Sequence, residues 1–399
     1  MKNNFEAFKP HFHFLVLFGC YKIISPTSKM QESLHIFYRI FVTVYYCTFC
    51  IQHVIRLYEI KDNVSELVDT LYVLLTLVNS LGKLVIFNVR RTRIENIAEV
   101  IKGPVFAPTN KQHEELMMRN AAGMMRLFRS YQGFVIVCSL LWMTYPLMTR
   151  FLGEEVRFAM YWPFSTDRLP VFLFVVVYIT IMVHWVSLST VAMDCIAVGF
   201  YMQAQLQLQM LRYNFQHLAD PEDEVNEDND KGIKIYRDVE SSRFESLFRK
   251  RLIMCIKRQK LIVWLVDEVE SVFGSSMVLQ FLVMAWIICM TVYKIIGLNV
   301  MSAEFVTMIV YLGCVLIQLF LFCYYGTQLK DESEYVNQSI YECDWPAVSP
   351  RLRRPLLIMM ERCYQPVAPC IAYVVPMSLD TFISIVKSAY SLYTFLDQS

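Results

Sequence analysis

Ser384, Ser388 and Ser391 recur at steps of four and three near the end of the chain, and Leu392, Phe395, Gln398 and Ser399 continue the same helical face. The face is small and polar at one end and bulkier at the other. A row of hydroxyls suits water and ions, and an apolar ring beyond it can close a pore by dewetting. The same small residues would also let two helices pack closely. Asp380 and Lys387 lie seven residues apart, two turns of that helix, and therefore on one side of it. Inside a membrane such charges pair, contact a neighbouring element or face water. Lys83 and Asp194 stand alone in two other apolar runs and can pair with each other or with neighbours.

Chemistry of the enzymatic kind is missing from the sequence. There is no His-Glu-x-x-His, no glycine loop of the phosphate-cradling kind and no nucleophile elbow. His184 is isolated in an apolar run, where a histidine is usually packed and hydrogen bonded. Neither a metal site nor a cofactor is expected. With 56% hydrophobic and only 18% charged residues, against about 25% charged in soluble proteins, the chain has the composition of a polytopic membrane protein. A net charge of +1 gives no reason to expect nucleic acid as a partner.

Crossing about 30 Å of hydrocarbon takes roughly 20 helical residues. Seven apolar segments meet or approach that length, near residues 37–56, 65–88, 132–152, 171–201, 272–296, 303–325 and 370–396. Arg39, Gln52 and His53 dilute the first. The run His11 to Tyr21 is too short to span and lacks a cleavage site of the small-residue type, so it is expected to dip partly into the bilayer and not to act as a signal peptide. Placing the N-terminus in the cytoplasm puts 29 of the 37 Lys and Arg on the inside and six on the outside. The expectation is therefore an all-α protein of seven transmembrane helices, with the N-terminus cytoplasmic and the C-terminus extracellular. That arrangement is the reverse of G-protein-coupled receptors, and the chain has no Asp-Arg-Tyr after its third span and no Asn-Pro-x-x-Tyr in its seventh. None of the 12 cysteines falls in an expected outside loop, so free thiols packed among helices are anticipated. Asn63-Val64-Ser65 is a glycosylation sequon on the outside.

The elements between the spans show a second theme. Leu208, Leu211, Phe215 and Leu218 form an apolar stripe on a polar helix that prolongs the fourth span, and Phe244, Phe248, Leu252 and Cys255 repeat it before the fifth. Between them runs an acidic stretch, Asp220 to Asp230, with the composition of a flexible loop. A shorter helix begins with Ser349 and Pro350, suited to the cap and the first turn, and carries Leu352, Leu356, Met360 and Cys363 on one face. Three such stripes on the inside imply a cytoplasmic helical anchor domain or a subunit interface. Domain organisation follows: an N-terminal arm (1–36), spans one to four (37–202), helical extensions with the acidic loop (203–271), spans five and six (272–325), a connector with the anchor helix (326–369) and the last span (370–399).

The run Cys323-Tyr324-Tyr325-Gly326, Tyr341 and Trp345 after it, the basic helix Arg351-Leu352-Arg353-Arg354-Pro355-Leu356-Leu357, Val375-Pro376-Met377-Ser378-Leu379-Asp380-Thr381-Phe382 and Ser388-Ala389-Tyr390-Ser391-Leu392-Tyr393 together resemble the C-terminal signature of insect odorant receptors. The family usually has Glu where Asp380 stands. Length, seven spans and inverted topology agree with it, and the Thr-Tyr and Gln-Phe signature of gustatory receptors is not matched.

The resemblance implies an odorant-gated, poorly selective cation channel in the plasma membrane of olfactory sensory neurons. Ligand-tuning subunits of that family assemble with a longer, shared co-receptor into a tetramer. By the same resemblance the last helix, with the seven residues from Ser384 to Ser399 named above, lines the pore for permeating cations, and Leu352, Leu356, Met360 and Cys363 anchor subunits. Arg126 and Arg129 could otherwise meet lipid headgroups. The odorant would sit among the outer halves of spans two, three, four and six. There the chain offers Tyr72 and Thr76, then Cys138, Ser139, Trp142 and Tyr145, then Tyr178 and Met182, and lastly Thr307, Val310 and Tyr311. Such an aromatic, mostly apolar lining with a few hydroxyls suits a small volatile organic molecule. A gustatory-type homomeric channel and a secondary transporter are the rival classes.

Overall fold

Helix length decides the architecture. The computed structural model describes residues 4–23, 28–60, 64–153, 156, 158–220, 233–298, 302–343, 345, 348–371 and 375–397. A 3-10 turn, Asn4–Phe8, leads into α1 (Lys9–Leu17), and α2 (Lys29–Glu59), α3 (Val64–Val89), α4 (Arg91–Lys102) and α5 (Lys111–Phe151) follow. Next come α6 (Leu169–Gln216), α7 (Ile233–Ile296), α8 (Ala303–Glu342) and α9 (Pro350–Tyr364). The 48 residues of α6 and the 64 of α7 correspond to roughly 72 and 96 Å at 1.5 Å per residue, far more than a bilayer requires. They form a membrane bundle and a helical body beyond it.

Among the described residues, six helices are long and apolar enough to cross a membrane. The most apolar is α6, together with α8, and α6 is the axis. From Val191 to Gly199 every one of its residues is buried, because α1, α3, α5, α7 and α8 pack around it. At the periphery α2 buries only Tyr46, Phe49 and His53 and leaves Phe37, Phe41, Val44, Ile51 and Val54 exposed, an apolar outer surface that suits lipid. All 12 cysteines are free thiols; most are buried, and Cys47 is exposed on α2.

The N-terminal arm belongs to the protein core. Phe8 stacks on Phe200 of α6 at 5.0 Å, His11 lies 4.4 Å from the Phe128 ring of α5, and Trp185 of α6 donates its indole N–H to the Phe18 carbonyl at 2.9 Å. Its apolar side is thus taken by α5 and α6, where the sequence suggested the bilayer. Burial pushes the His11 imidazole down to about 4. Gly199 makes this docking possible, since a Cβ there would stand 2.8 Å from Met124 and 2.9 Å from Phe8.

Beyond the bundle, the expected stripes do pack. Leu208, Leu211, Phe215 and Leu218 are fully buried, and Phe248, Leu252 and Cys255 nearly so, with Phe244 packed at the margin. Arg93 of α4 holds Glu268 of α7 through two bonds of 2.7 and 2.8 Å, and Arg212 of α6 meets Glu332 of α8 at 2.6 Å. On α9 the face that meets the rest of this chain consists of Leu356, Met359 and Cys363, with Leu352 and Met360 half-buried. The residues expected to anchor subunits therefore pack within their own chain, and α9 turns Leu357 and Ile358 outward.

The last span starts later than its apolar run suggested. Cys370–Ile371 (β1) and Val375–Pro376 (β2) form a small antiparallel hairpin, and α10 covers Leu379–Asp397, 19 residues. Pro366, Pro369 and Pro376 lack amide protons and bar a helix through this stretch. The Cys370 amide donates instead to Glu270 of α7 at 2.6 Å, and the Met377 amide to the Pro369 carbonyl at 2.9 Å. Thr327 of α8 accepts the Leu379 amide at 3.0 Å and Ser378 accepts that of Thr381 at 3.3 Å, which satisfies two of the free donors at the start of α10. A Cβ on Gly326 would overlap the Met377 carbonyl. Asn63, Gln398 and Ser399 lie outside the described residues, as do the side chains of Leu392 and Phe395 and most of the acidic loop.

Candidate ligand cavity

Four helices present periodic stripes to one shared space. Tyr72, Val73, Thr76 and Leu77 come from α3, and Tyr131, Val135, Cys138, Ser139 and Trp142 from α5. Val183, Val186, Ser187, Thr190 and Val191 come from α6, and Thr307, Val310, Tyr311, Cys314, Val315 and Gln318 from α8. Each series steps by three or four residues, one face of a helix. They enclose a cavity of about 160 Å³, with Phe49 of α2 closing one side. The rings of Tyr72 and Tyr311 face each other at 5.3 Å.

Polar groups on this wall are tied to one another. Thr76 donates to the Tyr72 carbonyl at 2.9 Å, so at 2.7 Å its oxygen accepts from the Tyr311 hydroxyl. Thr190 donates to the Val186 carbonyl at 2.7 Å and accepts from Ser80 at 2.6 Å. His184 gives its Nδ1 proton to the Thr180 carbonyl at 2.9 Å, which leaves Nε2 to meet the Ser139 hydroxyl at 3.0 Å. At the inner end, Lys83 Nζ and Asp194 Oδ1 form a buried ion pair at 2.5 Å, and the Gln318 amide nitrogen donates to Asp194 Oδ2 at 2.5 Å. The two charges that stood alone in the sequence are thus partners under the cavity.

Toward the other end lies a wider cavity of about 350 Å³, which shares Phe49, Tyr72, Val73, Trp142 and Thr307 with the first. Its rim includes two ion pairs, Arg56 with Glu66 at 2.9 Å and Lys294 with Glu304 at 2.7 Å. Pro146 lines it and has no N–H to give the Trp142 carbonyl one turn back, so the helix is weakened next to the shared aromatic residues.

The structure gathers Tyr72, Thr76, Cys138, Ser139, Trp142, Thr307, Val310 and Tyr311 around the inner cavity and places Tyr145 on the outer one. Tyr178 and Met182 line neither. They are four residues apart, one helical step round from Val183 and Val186, and they turn to α2: Tyr178 donates to Gln52 at 2.8 Å, and Met182 is buried in a cluster with Tyr46 and Phe49. Sequence reasoning passed over Phe49, Tyr131, Thr190 and Gln318. Extending the stripes of α5, α6 and α8 inward by one or two turns reaches the last three; Phe49 lies on a helix left out of the site altogether.

On α10, Ser384, Ser388 and Ser391 are exposed along one face, with Asp380 and Lys387 in the same sector, while Ala389 is buried against the protein. This face is uncovered within the single chain and separate from the cavities.

Long apolar helices closed around a molecule-sized chamber define a multi-pass helical membrane protein with an internal binding space. Residues 63–390 match the family described as 7tm odorant receptor, and the chain belongs to that family. It is 27% identical over 159 residues to odorant receptor 22b of Drosophila melanogaster, covering 40% of each chain. To odorant receptor 85f of the same fly it is 27% identical over 242 residues, 60% of this chain and 56% of that one. The matched stretches thus span about half the length of these curated relatives. The fold is similar to that of the insect olfactory receptor OR5 from Machilis hrabei in complex with eugenol, with a TM-score of 0.82, 13% identity and 98% of both chains covered.

Proposed function

We propose that this chain is the odorant-binding subunit of a heteromeric, odorant-gated, non-selective cation channel in the plasma membrane of olfactory sensory neurons. The observation that carries this reading is the aromatic cavity between α3, α5, α6 and α8, one wall of which continues as α8 directly to the start of α10. A mostly apolar space with a few fixed polar groups fits a small volatile molecule, and a receptor of similar fold holds eugenol, an aromatic compound of that kind.

In this reading the odorant enters through the outer cavity, passes Trp142 and settles against Tyr72 and Tyr311. Displacement of α8 is then carried through Thr327 and the Gly326–Met377 contact to α10. The hydroxyl face of α10, with Ser384, Ser388 and Ser391 and continuing to Leu392, Phe395, Gln398 and Ser399, lines the cation path. The exposed face of α9 with Leu357 and Ile358 meets a neighbouring subunit, the shared co-receptor. The predominance of Lys and Arg in segments 1–36, 90–129, 212–260 and 330–362 supports a cytoplasmic N-terminus and places the Asn63 sequon outside.

The test is whole-cell current during an odorant panel, from cells expressing the chain alone and with an insect odorant co-receptor, with G-protein signalling blocked. Rapid cation current from the pair alone is expected. Current from the chain alone would make it a gustatory-like homomeric channel. Substrate accumulation without current would make it a transporter.

A further inference from the structure

The inner end of the cavity is closed by the stripe of α8 that runs Tyr311, Cys314, Val315, Gln318, and by a polar floor made from three helices. Asp194 of α6 takes the ammonium of Lys83 on one oxygen and the Gln318 amide nitrogen on the other. That second bond fixes which way the amide points. Turned over, its carbonyl oxygen would face a carboxylate oxygen at the same short distance, acceptor against acceptor, in a place where burial makes an unmet polar group costly. With the nitrogen end committed to Asp194, the end left for a guest is the carbonyl oxygen, an acceptor.

Neighbouring groups repeat the pattern. The Thr76, Thr190 and Thr307 hydroxyls spend their protons on backbone carbonyls, and Tyr311 spends its own on Thr76. Oxygen lone pairs remain on these groups, while Tyr131, Trp142 and Ser187 of the same lining carry donors. A guest that brings a proton satisfies the Gln318 carbonyl; one that brings only a carbonyl leaves that oxygen unmet. Selectivity of this kind is steep, because a site built around a hydrogen bond rejects the analogue that cannot make it more sharply than it rejects a change of size.

We propose that Gln318 is a specificity-determining residue of the inner cavity: its amide, held nitrogen-first by the Lys83–Asp194 pair, offers its carbonyl oxygen to the ligand and favours molecules with a hydroxyl donor, alcohols and phenols, over acceptor-only carbonyl compounds of the same size. The cavity volume, about 160 Å³, limits the guest to about one ring with a short substituent, since an apolar protein cavity of roughly 150 Å³ holds benzene. This inference rests on the proposed ligand role of the cavity. Gln318 would act by direct contact, and Asp194 and Lys83 as positioning residues.

Benzyl alcohol and benzaldehyde make the test pair, nearly equal in volume and different in the donor. Binding is read as the shift in thermal unfolding of the detergent-solubilised full chain, which needs no current, and activation as half-maximal concentration in cells with the co-receptor. In the unaltered chain the alcohol should stabilise at concentrations about tenfold below those of the aldehyde. In Gln318→Met, which keeps the volume, that ratio should fall to about one. In the double variant Lys83→Met with Asp194→Asn, the amide is free to turn over and the aldehyde should gain. Equal potency of alcohol and aldehyde on the unaltered chain would overturn the proposal without any variant, as would a ratio that survives Gln318→Met. Thermal shifts in the expected order without odorant-gated current would leave the donor preference standing and overturn the channel reading alone.

Discussion

Trp142 stands where the outer and inner cavities meet, and this position gives it a larger effect than its neighbours on the same helix. Removing the indole takes away about 2 kcal/mol of buried apolar contact, which converts to a rise of about 30-fold in half-maximal odorant concentration. Trp142→Ala should show that rise in dose–response recordings at unchanged maximal current, whereas Met182→Ala, outside both cavities, should leave the concentration where it was. A second residue-scale prediction concerns Lys387, exposed on the α10 face that carries the serines. A positive charge beside a cation path slows permeation, so Lys387→Gln should raise single-channel conductance in the assembled channel, measured in excised patches. At this scale the sequence was legible wherever a residue's helical phase could be counted. Tyr72, Thr76 and Tyr311 line the inner cavity, and Tyr178 and Met182 do not, because one step of rotation, 100° on a helix, decides between the cavity and α2. That step depends on how α6 is turned within the bundle, which only packing determines.

Elements carry a different kind of information. Long apolar runs and amphipathic stripes marked the apolar parts of α2, α3, α5, α6, α7 and α8, since hydropathy and period report burial directly, but α8 continues as helix to Glu342 through a stretch whose polar composition suggested a connector. The start of the last helix did not yield to that reasoning: an apolar composition suggested a helix from Cys370, while Pro376 and a partner far away in sequence, Glu270, give the β1–β2 pairing and delay α10 to Leu379. The glycine of the Cys323-Tyr324-Tyr325-Gly326 run acquires a physical reason here. Gly326→Ala would drive a methyl group into the Met377 carbonyl, an overpacking of about 1–3 kcal/mol that α10 can relieve only by moving. The expected outcome is reduced surface delivery or an altered basal current, checked by surface biotinylation and by leak current without odorant.

The N-terminal arm makes a pH prediction. Its His11 is buried and held down to about 4, below the ordinary value of 6.5, so it is neutral in the folded protein at neutral pH. A histidine depressed by folding adds no penalty above its unfolded value; stability is lost as pH falls from about 6.5 toward 4, where the unfolded chain binds the proton that the folded chain refuses. The gap corresponds to about 3 kcal/mol. His11→Phe should flatten that part of the fall in thermal stability between pH 7 and 4.5 relative to the unaltered chain, measured in detergent.

For the whole molecule, the charge asymmetry and the helix lengths point the same way. The parts of α5, α6, α7 and α8 that reach past the bilayer carry the basic segments, and they pack with α4 and α9 into one body. A tag fused after α10 should accordingly be reached by antibody on intact, unpermeabilised cells, and a tag before α1 only after permeabilisation; the opposite pattern would invert the proposed topology. Assembly was not legible at this scale. Of the apolar residues of α9 expected to hold subunits together, Leu356 and Cys363 are buried in this chain's own core and Leu352 and Met360 are half-buried against it, because a single sequence does not distinguish a stripe that waits for a partner from one that a neighbouring helix already covers.

One helix, α8, forms the wall of the chamber between Thr307 and Gln318 and holds the start of α10 at Gly326 and Thr327. Substitutions between Thr307 and Gln318 therefore reshape the chamber and leave α10 in place, while a side chain at Gly326 meets the Met377 carbonyl and moves α10 without touching the chamber. The wall and the clasp lie a few helical turns apart on the same rod.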